Sequence, residues 1–302
     1  MIEKPKNDMP GSVGGKTNQI VPGEDGRLRA VYAAAGGGQA AFSTKVADYV
    51  ASRPDYATAL LVTLRERCGL AAGACIADVG AGTGILSRSL LERGFQVIAV
   101  EPNEAMRAAA EAALAGRAGY RSVAGSTEAM PLAAGSVDLI TAAQAFHWFN
   151  PVPARRECLR VLKPHGQVAL IWNDRTADDP LQSVLDDIAA RFGGAKRSAM
   201  VAQGERANLE VFFGRAEWEE FAWPHEQQLT EAGMQSLVFS RSYIPARDSA
   251  AGREVAAEVS RVFHRFATDK WITIRYATVL VLGRPEKGSE VATASGSAKV
   301  AA

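Results

Sequence analysis

The stretch Ile76-Ala-Asp-Val-Gly-Ala-Gly-Thr-Gly84 decides the fold of this chain. It reads as the end of a buried strand, Cys75–Val79, then a turn with glycine at every second position, then a helix from Ile85. Glycines in such a turn let backbone N–H groups approach a ligand closely, because no side chain intervenes. The N-terminus of the following helix adds a favourable position for a carboxylate or phosphate. The stretch therefore predicts a strand–turn–helix unit that binds a nucleoside cofactor.

An acidic residue follows the next predicted strand. Glu101 comes directly after the strand 96–100, about where a ribose-binding carboxylate belongs in such a unit. A dinucleotide fingerprint requires a small residue where Ile85 stands, and Asp78 is not part of that fingerprint. Three interpretations therefore compete: a glycine-rich turn without a ligand, a dinucleotide site, and a site for another nucleoside.

Strand and helix patterns alternate through the first two thirds of the chain. After the predicted strand 168–172 this pattern breaks, and 179–213 reads as helices without a strand. Late strands are predicted at 218–223 and 272–282, with helices at 231–239 and 250–266 between them. The order predicts an α/β fold with a doubly wound, mostly parallel sheet. The helical segment would roof the carboxyl ends of the strands, where ligands bind in open α/β sheets.

Composition narrows the class of protein. The chain has 302 residues, 47% of them hydrophobic, and a net charge of +1, so a nucleic-acid or membrane-surface partner is not expected. The three cysteines are scattered, and neither His225 nor His264 has a partner at ligand spacing, so no metal site is expected. The sequence has no apolar run of transmembrane length, and a cytoplasmic location is the expectation.

Both ends of the chain differ in composition from the middle. Residues 1–40 are rich in Gly, Pro, Asn and Lys, which predicts a disordered segment or a mobile lid over the acceptor. Residues 286–302 are of low complexity and are predicted to be a disordered tail. The predicted domain is 41–285, with a helical cap at about 179–213.

The segment Asp78-Val-Gly-Ala-Gly-Thr-Gly84 resembles the first motif of class I S-adenosylmethionine-dependent methyltransferases, in particular the type 11-like small-molecule subgroup. Further segments resemble that family in the correct order: 97–103, 125–131, 143–149 and 159–172. The resemblance implies a Rossmann-like sheet of seven strands, S-adenosylmethionine as cofactor and S-adenosylhomocysteine as product.

The resemblance also implies a set of cofactor-binding residues. The backbone of Gly80, Gly82 and Gly84 would hold the methionine end, with Asp78 orienting either the turn or the ammonium group. Glu101 would accept hydrogen bonds from the ribose hydroxyls. The remaining cofactor-binding candidates are Ser126 and Thr127 at the adenine, Gln144 at the end of strand four, and Arg53 at the methionine carboxylate.

His147 stands just past strand four, where the acceptor's reactive atom should meet the sulfonium methyl group. It is either a general base that removes a proton from the acceptor or a packed residue that shapes the pocket. The acceptor is expected to be a small metabolite methylated on oxygen, nitrogen, sulfur or an electron-rich carbon. The sequence leaves the oligomeric state of the protein open. The candidate acceptor-binding residues are Tyr49, Phe146, Trp148, Asn173 and Tyr243.

Three alternatives accompany this interpretation. A prenyl diphosphate methylated on carbon would fit if the basic residues of the C-terminal third converge: Arg241, Arg247, Arg261, Arg265 and Lys270. A second alternative is a regulatory or partner subunit that binds S-adenosylmethionine without transferring methyl. The third is a nicotinamide-dependent oxidoreductase, which Ile85 disfavours.

Overall fold

The computed structural model describes Val31 and residues 45–176, 179–204, 206 and 208–286. The helices are α1 Val46–Ser52, α2 Thr58–Arg67, α3 Ile85–Glu92, α4 Glu104–Ala113, α5 Pro151–Val161, α6 Pro180–Phe192, α7 Gly194–Gln203, α8 Leu209–Phe213, α9 Glu231–Phe239 and α10 Ala250–Phe266. The strands are β1 Cys75–Val79, β2 Gln96–Val100, β3 Tyr120–Val123, β4 Val137–Ala143, β5 Leu162–Arg175, β6 Trp218–Leu229 and β7 Ile272–Gly283. A short 3₁₀ turn, Phe146–Trp148, follows β4.

One sheet of seven strands organises the chain, in the order β3-β2-β1-β4-β5-β7-β6. Strands β1 to β5 pair in parallel, and β7 is antiparallel to both β5 and β6. The strand order reverses between β1 and β4, which makes the carboxyl ends of these two strands the switch point where ligands bind in such sheets. The predicted α/β fold with a doubly wound, mostly parallel sheet is confirmed.

The core is divided by the sheet into two layers. Along β5 the side chains alternate: Val168, Leu170 and Trp172 pack in one cluster, and Ala169 and Ile171 pack in the other. This alternation follows from the two-residue period of a strand. All five side chains are buried, because helices cover both faces of a parallel sheet.

The late strands are longer than the sequence pattern predicts. β5 begins at Leu162 and ends at Arg175, although the apolar run covers only 168–172. Its carboxyl half pairs with β7 as far as Arg175 opposite Tyr276, and β6 pairs with β7 along its whole length. Antiparallel pairing therefore extends these strands into segments whose side chains alternate between polar and apolar. The extension places Asn173 and Arg175 beyond the carboxyl end of β4, whose last residue, Ala143, pairs with Ile171.

Three helices, α6 to α8, lie between β5 and β6, as the sequence predicts for 179–213. Asp179 begins α6, and its side chain accepts a hydrogen bond from the backbone N–H of Leu181 at 2.9 Å. A separate apolar cluster joins α6, α9 and α10 to the ends of β6 and β7. In the described part of the chain, no helix is long and apolar enough to cross a membrane.

The predicted terminal segments, 1–40 and 286–302, lie outside the described residues apart from Val31 and Glu286. Val31 packs with Trp148, Ala199 and Met200, next to α7. Tyr32, the proposed end of a lid, is not among the described residues. The lid therefore remains a prediction.

Candidate active site

The glycine turn after β1 has the backbone conformation that its sequence predicts. Gly80, Gly82 and Gly84 all have positive φ, at +66°, +56° and +80°. The turn is held to the next strand by the N–H of Gly80, which donates to the carbonyl of Val100 at 2.8 Å. A Cβ added at Gly82 would meet no protein atom within 4 Å. The space above Gly82 is therefore open to a ligand.

Gly84 has a packing role instead. It begins α3, and a Cβ there would come within 2.9 Å of Leu114 and 3.3 Å of Ala110. This glycine lets α3 lie close to the end of α4 and does not border a cavity. Its role in holding the cofactor through the backbone stays a prediction.

Asp78 lies beneath the turn and is almost completely buried. Its carboxylate accepts hydrogen bonds from Ser87 on α3 at 2.6 Å and from Thr141 on β4 at 2.9 Å. Burial raises the pKa of Asp78 to about 6, although these two hydrogen bonds act in the opposite direction. Asp78 borders neither of the two cavities described below. Of the two predicted roles, the geometry favours orientation of the turn over contact with an ammonium group.

Glu101 points its carboxylate into the space beside the turn. Its two oxygens accept backbone N–H groups from Gly82 and Asn103, each at 2.8 Å. Burial raises the pKa of Glu101, and the two backbone hydrogen bonds oppose that shift. Because each carboxylate oxygen can accept more than one hydrogen bond, both oxygens keep capacity for ligand hydroxyls.

A cavity of about 270 Å³, which we call the glycine-loop cavity, extends from this turn. Gly80, Gly82 and Glu101 border it, as do Ser126, Thr127 and Gln144. Trp148 and Phe149 supply apolar surface. Six predicted residues, Gly80, Gly82, Glu101, Ser126, Thr127 and Gln144, are therefore brought together.

Gln144, the residue after β4, has an unusual backbone conformation. Its φ is +54°, which is uncommon for a residue other than glycine and is often found at functional sites. The backbone N–H donates to the carbonyl of Ile171 at 2.9 Å, which fixes the turn against β5. Gln144 and Tyr49 border both the glycine-loop cavity and a second one. These two residues mark the junction of the two cavities.

The second cavity, about 520 Å³, is called here the arginine cavity. Its basic residues are Arg53, Arg175, Arg197 and Arg241, and its acidic residues are Asp174 and Asp186. Tyr56, Tyr243 and Tyr276 add aromatic surface, and Ile85, Met200 and Leu237 add aliphatic surface. The cavity lies under α7 of the helical cap and at the carboxyl ends of β4 and β5. It is therefore both amphipathic and adjacent to the switch point.

The predicted acceptor-binding residues are divided among three environments. Asn173 and Tyr243 border the arginine cavity, and Tyr49 borders both cavities. Trp148 borders the glycine-loop cavity only, so it lies on the side where the cofactor was expected. Phe146 borders neither cavity: the residue is 3% exposed, and its ring packs edge-on against Trp172 and Phe212 in the core, so its contact with an acceptor stays a prediction.

His147 lies between Phe146 and Trp148 in the 3₁₀ turn but borders neither cavity. Burial lowers the pKa of His147 to about 4, and the positive charge of Arg53 acts in the same direction. A histidine with this pKa is neutral at pH 7 but is a weak base. The packed environment favours the second of the two predicted roles, and the role of general base stays a prediction.

Arg53 borders the arginine cavity and not the glycine-loop cavity. Its guanidinium lies 4.7 Å from the centre of the Tyr49 ring and donates to Ser240 at 3.1 Å. This position beside the junction is compatible with its predicted contact to a cofactor carboxylate. Of the five basic residues that a diphosphate would need, only Arg241 borders the cavity. Arg247 and Arg261 instead pair with Asp48 and Glu258.

Several cavity residues carry no signal in a local motif. Arg175 and Tyr276 come from the paired ends of β5 and β7, and Arg197 comes from α7. Arg175 could have been predicted as a site residue, because a charged residue at the carboxyl end of a strand lies where ligands bind in such sheets. Glu128, which borders the glycine-loop cavity, lies within the motif segment 125–131 but has no predicted role, and Met106 has no such signal. In the described ranges, no group of three or more His, Cys, Asp or Glu residues could hold a metal ion.

The sheet order and the glycine turn at its switch point define an α/β fold of the Rossmann-like methyltransferase class. A family model described as a methyltransferase domain, of type 11, matches residues 77–170. This match covers β1 to the middle of β5 and therefore includes the turn, Glu101 and Gln144.

Whole-length relatives extend this match. An uncharacterised methyltransferase of Mycobacterium tuberculosis is 32% identical over 245 residues, which is 80% of this chain and 93% of the relative. A ubiquinone biosynthesis O-methyltransferase of Pseudomonas paraeruginosa is 37% identical over 128 residues, covering 40% of this chain and 53% of that enzyme. A solved structure assigned as a type II methyltransferase of Anaeromyxobacter dehalogenans matches with a TM-score of 0.55 at 22% identity, covering 78% of this chain and 99% of that one. The chain belongs to the class I methyltransferase family, as its motifs predict.

Proposed function

We propose that this protein transfers a methyl group from S-adenosylmethionine to a small-molecule acceptor. The observation that carries the proposal is the pair of cavities that meet at Tyr49 and Gln144. One cavity has the residues for a nucleoside, and the other is amphipathic and of a size suited to a metabolite. The family membership of the chain supports the reaction type.

The residues of the glycine-loop cavity fit the cofactor. Gly82 leaves open space where a Cβ would stand, and Glu101 offers two carboxylate oxygens to ribose hydroxyls. Ser126 and Thr127 lie where an adenine edge would be bound, with Trp148 available to pack against the base. Arg53, beside the junction, would pair with the methionine carboxylate. When bound, S-adenosylmethionine supplies an activated methyl group on a sulfonium sulfur.

The protein's own part in the reaction is alignment and exclusion of water. Gln144, fixed by its hydrogen bond to Ile171, and Tyr49 would border the reacting atoms at the junction. Asn173 and Tyr243 would hold the acceptor in the arginine cavity with its reactive atom toward this junction, where the bound cofactor would supply the methyl group. His147 stays a proposal as general base, and its burial outside the lining of both cavities supports the packing role.

Two alternative functions within this fold, methylation of a prenyl diphosphate and cofactor binding without transfer, would require different features of the site. A prenyl diphosphate would need several basic residues, and the described set at the cavity differs from the predicted one except for Arg241. A partner subunit that only binds the cofactor would need no second cavity at the junction. The acceptor cavity therefore favours turnover over binding alone.

The test is calorimetric titration of the purified chain with S-adenosylhomocysteine, with NADH and NADPH in parallel. Micromolar binding of S-adenosylhomocysteine alone is the expected result. Incubation of the chain with S-adenosylmethionine and pooled metabolites should then yield a product heavier by one methylene. Failure to bind S-adenosylhomocysteine, or clear binding of a nicotinamide dinucleotide, would contradict the proposal. Binding without any methylated product would favour the partner-subunit alternative.

A further inference from the structure

Arg241 has a buried guanidinium group, one nitrogen of which is paired with no described residue. It lies in the segment after α9, and the residue is 6% exposed. Its Nη1 atom is buried and has no hydrogen-bond partner among the described residues. Leaving a guanidinium nitrogen buried and unpaired costs free energy, so a partner such as a water, an ion or a ligand is expected there.

Two more arginines approach the same region of the arginine cavity. Arg175, at the end of β5, forms an ion pair with Asp186 and a side-chain hydrogen bond with Tyr243. Arg53 reaches the same wall through its hydrogen bond to Ser240, the residue before Arg241. Burial lowers the pKa of Arg241 to about 10, and the charges of Arg175 and Arg53 contribute to that shift.

The same arginines lower the pKa of Tyr243. Burial alone would raise the pKa of this phenol, yet the nearby Arg241, Arg175 and Arg53 hold it below its usual value. Asp186 offsets the charge of Arg175, and Asp174 pairs with Arg206, which is not among the lining residues, so the charges of Arg53, Arg197 and Arg241 remain in excess. Cation excess in a partly enclosed cavity attracts an anion.

We infer that the arginine cavity binds an acceptor that carries an oxyanion, a carboxylate or a phosphate, and that Arg241 and Arg175 hold this group. The inference rests on the proposed function and names the class of its acceptor. Arg241 and Arg175 border only the arginine cavity and not the junction, so the anion anchors the acceptor. The methylated atom is a different one, which the anchor directs toward Gln144. Tyr276, Leu237 and Met200 provide apolar surface for the rest of the molecule.

The cofactor offers a competing anion, since S-adenosylmethionine itself has a carboxylate. Arg53 lies beside Tyr49, which borders both cavities, whereas Arg241 interacts with Arg175 of β5 and Tyr276 of β7. A decisive experiment must therefore measure S-adenosylhomocysteine and acceptor-like anions separately.

The experiment is calorimetric titration at constant ionic strength of the chain saturated with S-adenosylhomocysteine. The probes are benzoate, phenyl phosphate and the neutral methyl benzoate. We expect at least one anion to bind and the neutral ester to bind at least tenfold more weakly. The Arg241→Gln variant should lose about 10- to 100-fold in affinity for that anion, and Arg241→Lys should lose less. Comparison of the two anions distinguishes a carboxylate acceptor from a phosphorylated one.

Two further variants keep the test decisive. Arg175→Gln, whose side chain is 30% exposed, gives a second reading if Arg241→Gln does not fold. Arg261→Gln removes an exposed arginine of α10 outside the cavity and should change no affinity.

Unchanged anion affinity in a folded Arg241→Gln or Arg175→Gln variant would overturn the inference, as would equal binding of the neutral ester or no binding of either anion. A parallel loss of S-adenosylhomocysteine affinity would reassign Arg241 to the cofactor. If the unmodified chain does not bind S-adenosylhomocysteine at all, the proposed function fails first.

Discussion

Gly82 combines a positive φ with open space where a side chain would stand. Gly69 has almost the same φ, +59°, and equally open space, but it lies outside both cavities. The same substitution at these two glycines therefore distinguishes the effect of backbone strain from the effect of filling the space of a ligand.

We expect Gly82→Val to reduce the affinity for S-adenosylhomocysteine by at least about tenfold, because the added side chain would occupy the ligand's space. Gly69→Val should carry a similar backbone penalty and retain the affinity. Calorimetric titration gives the affinities, and thermal melts of both variants check that they fold. Equal affinity in the two variants would mean that the ligand does not lie over Gly82.

Asp78 makes stability depend on pH in a direction unusual for a carboxyl group. Its pKa is about 6 in the folded protein, against an ordinary value of 3.8. The folded state therefore holds the proton where the unfolded chain has lost it, so this group's contribution to stability is lost as pH rises from about 4 to about 6. Asp78→Asn does not titrate and should gain stability relative to the unmodified chain over that range.

The measurement is the difference in free energy of unfolding between the two proteins at intervals from pH 4 to pH 7. A difference that stays flat, or that moves toward the unmodified chain as pH rises, would mean that Asp78 is a charged and well-stabilised acid.

At the scale of elements, the 3₁₀ turn Phe146–Trp148 directs three neighbouring rings to three environments. Phe146 enters the core, Trp148 borders the glycine-loop cavity, and His147 lies between them and borders neither cavity. Sequence alone does not predict this division, because in a turn of three residues the direction of each side chain depends on the packing of α5, α7 and α8 around it.

We expect Trp148→Ala to lower the affinity for S-adenosylhomocysteine about tenfold, the scale of losing one aromatic contact to a base. His147→Ala should leave this affinity unchanged and should reduce turnover by less than about tenfold, since a general base contributes roughly 10²–10⁴-fold. Trp271→Ala, which removes an exposed tryptophan that borders neither cavity, is the matched control. A large loss of turnover in His147→Ala, with a changed pH profile, would restore its role as base.

The sequence predicts more of the glycine-loop cavity than of the arginine cavity. Gly80, Gly82 and Glu101 lie within one βαβ unit, so local spacing is enough to bring them together. Arg175, Arg197 and Tyr276 meet only after β7 pairs with β5 and the helical cap covers the strand ends. Those contacts join residues far apart in the chain, so the local spacing of residues in the sequence does not predict them.

At the scale of the whole molecule, both cavities draw on most of the sheet. Their walls include residues that follow β1, β2, β4 and β5, and they also include α7 and the segment after α9. A ligand that fills them therefore contacts parts of the chain that must all be folded at once. Such a ligand binds the folded state and not the unfolded chain, which raises the free energy of unfolding by mass action.

S-Adenosylhomocysteine at 100 times its Kd should thus stabilise the fold by about 2.7 kcal/mol. For a chain of this size that corresponds to a rise in Tm of roughly 5–10 °C, measured by thermal melts at increasing ligand concentration. NADH at the same concentration should leave Tm unchanged, and Gly82→Val should not respond to S-adenosylhomocysteine. A shift with NADH of equal size would point to a dinucleotide site. A full shift in Gly82→Val would show that the ligand stabilises the protein from somewhere other than the glycine turn.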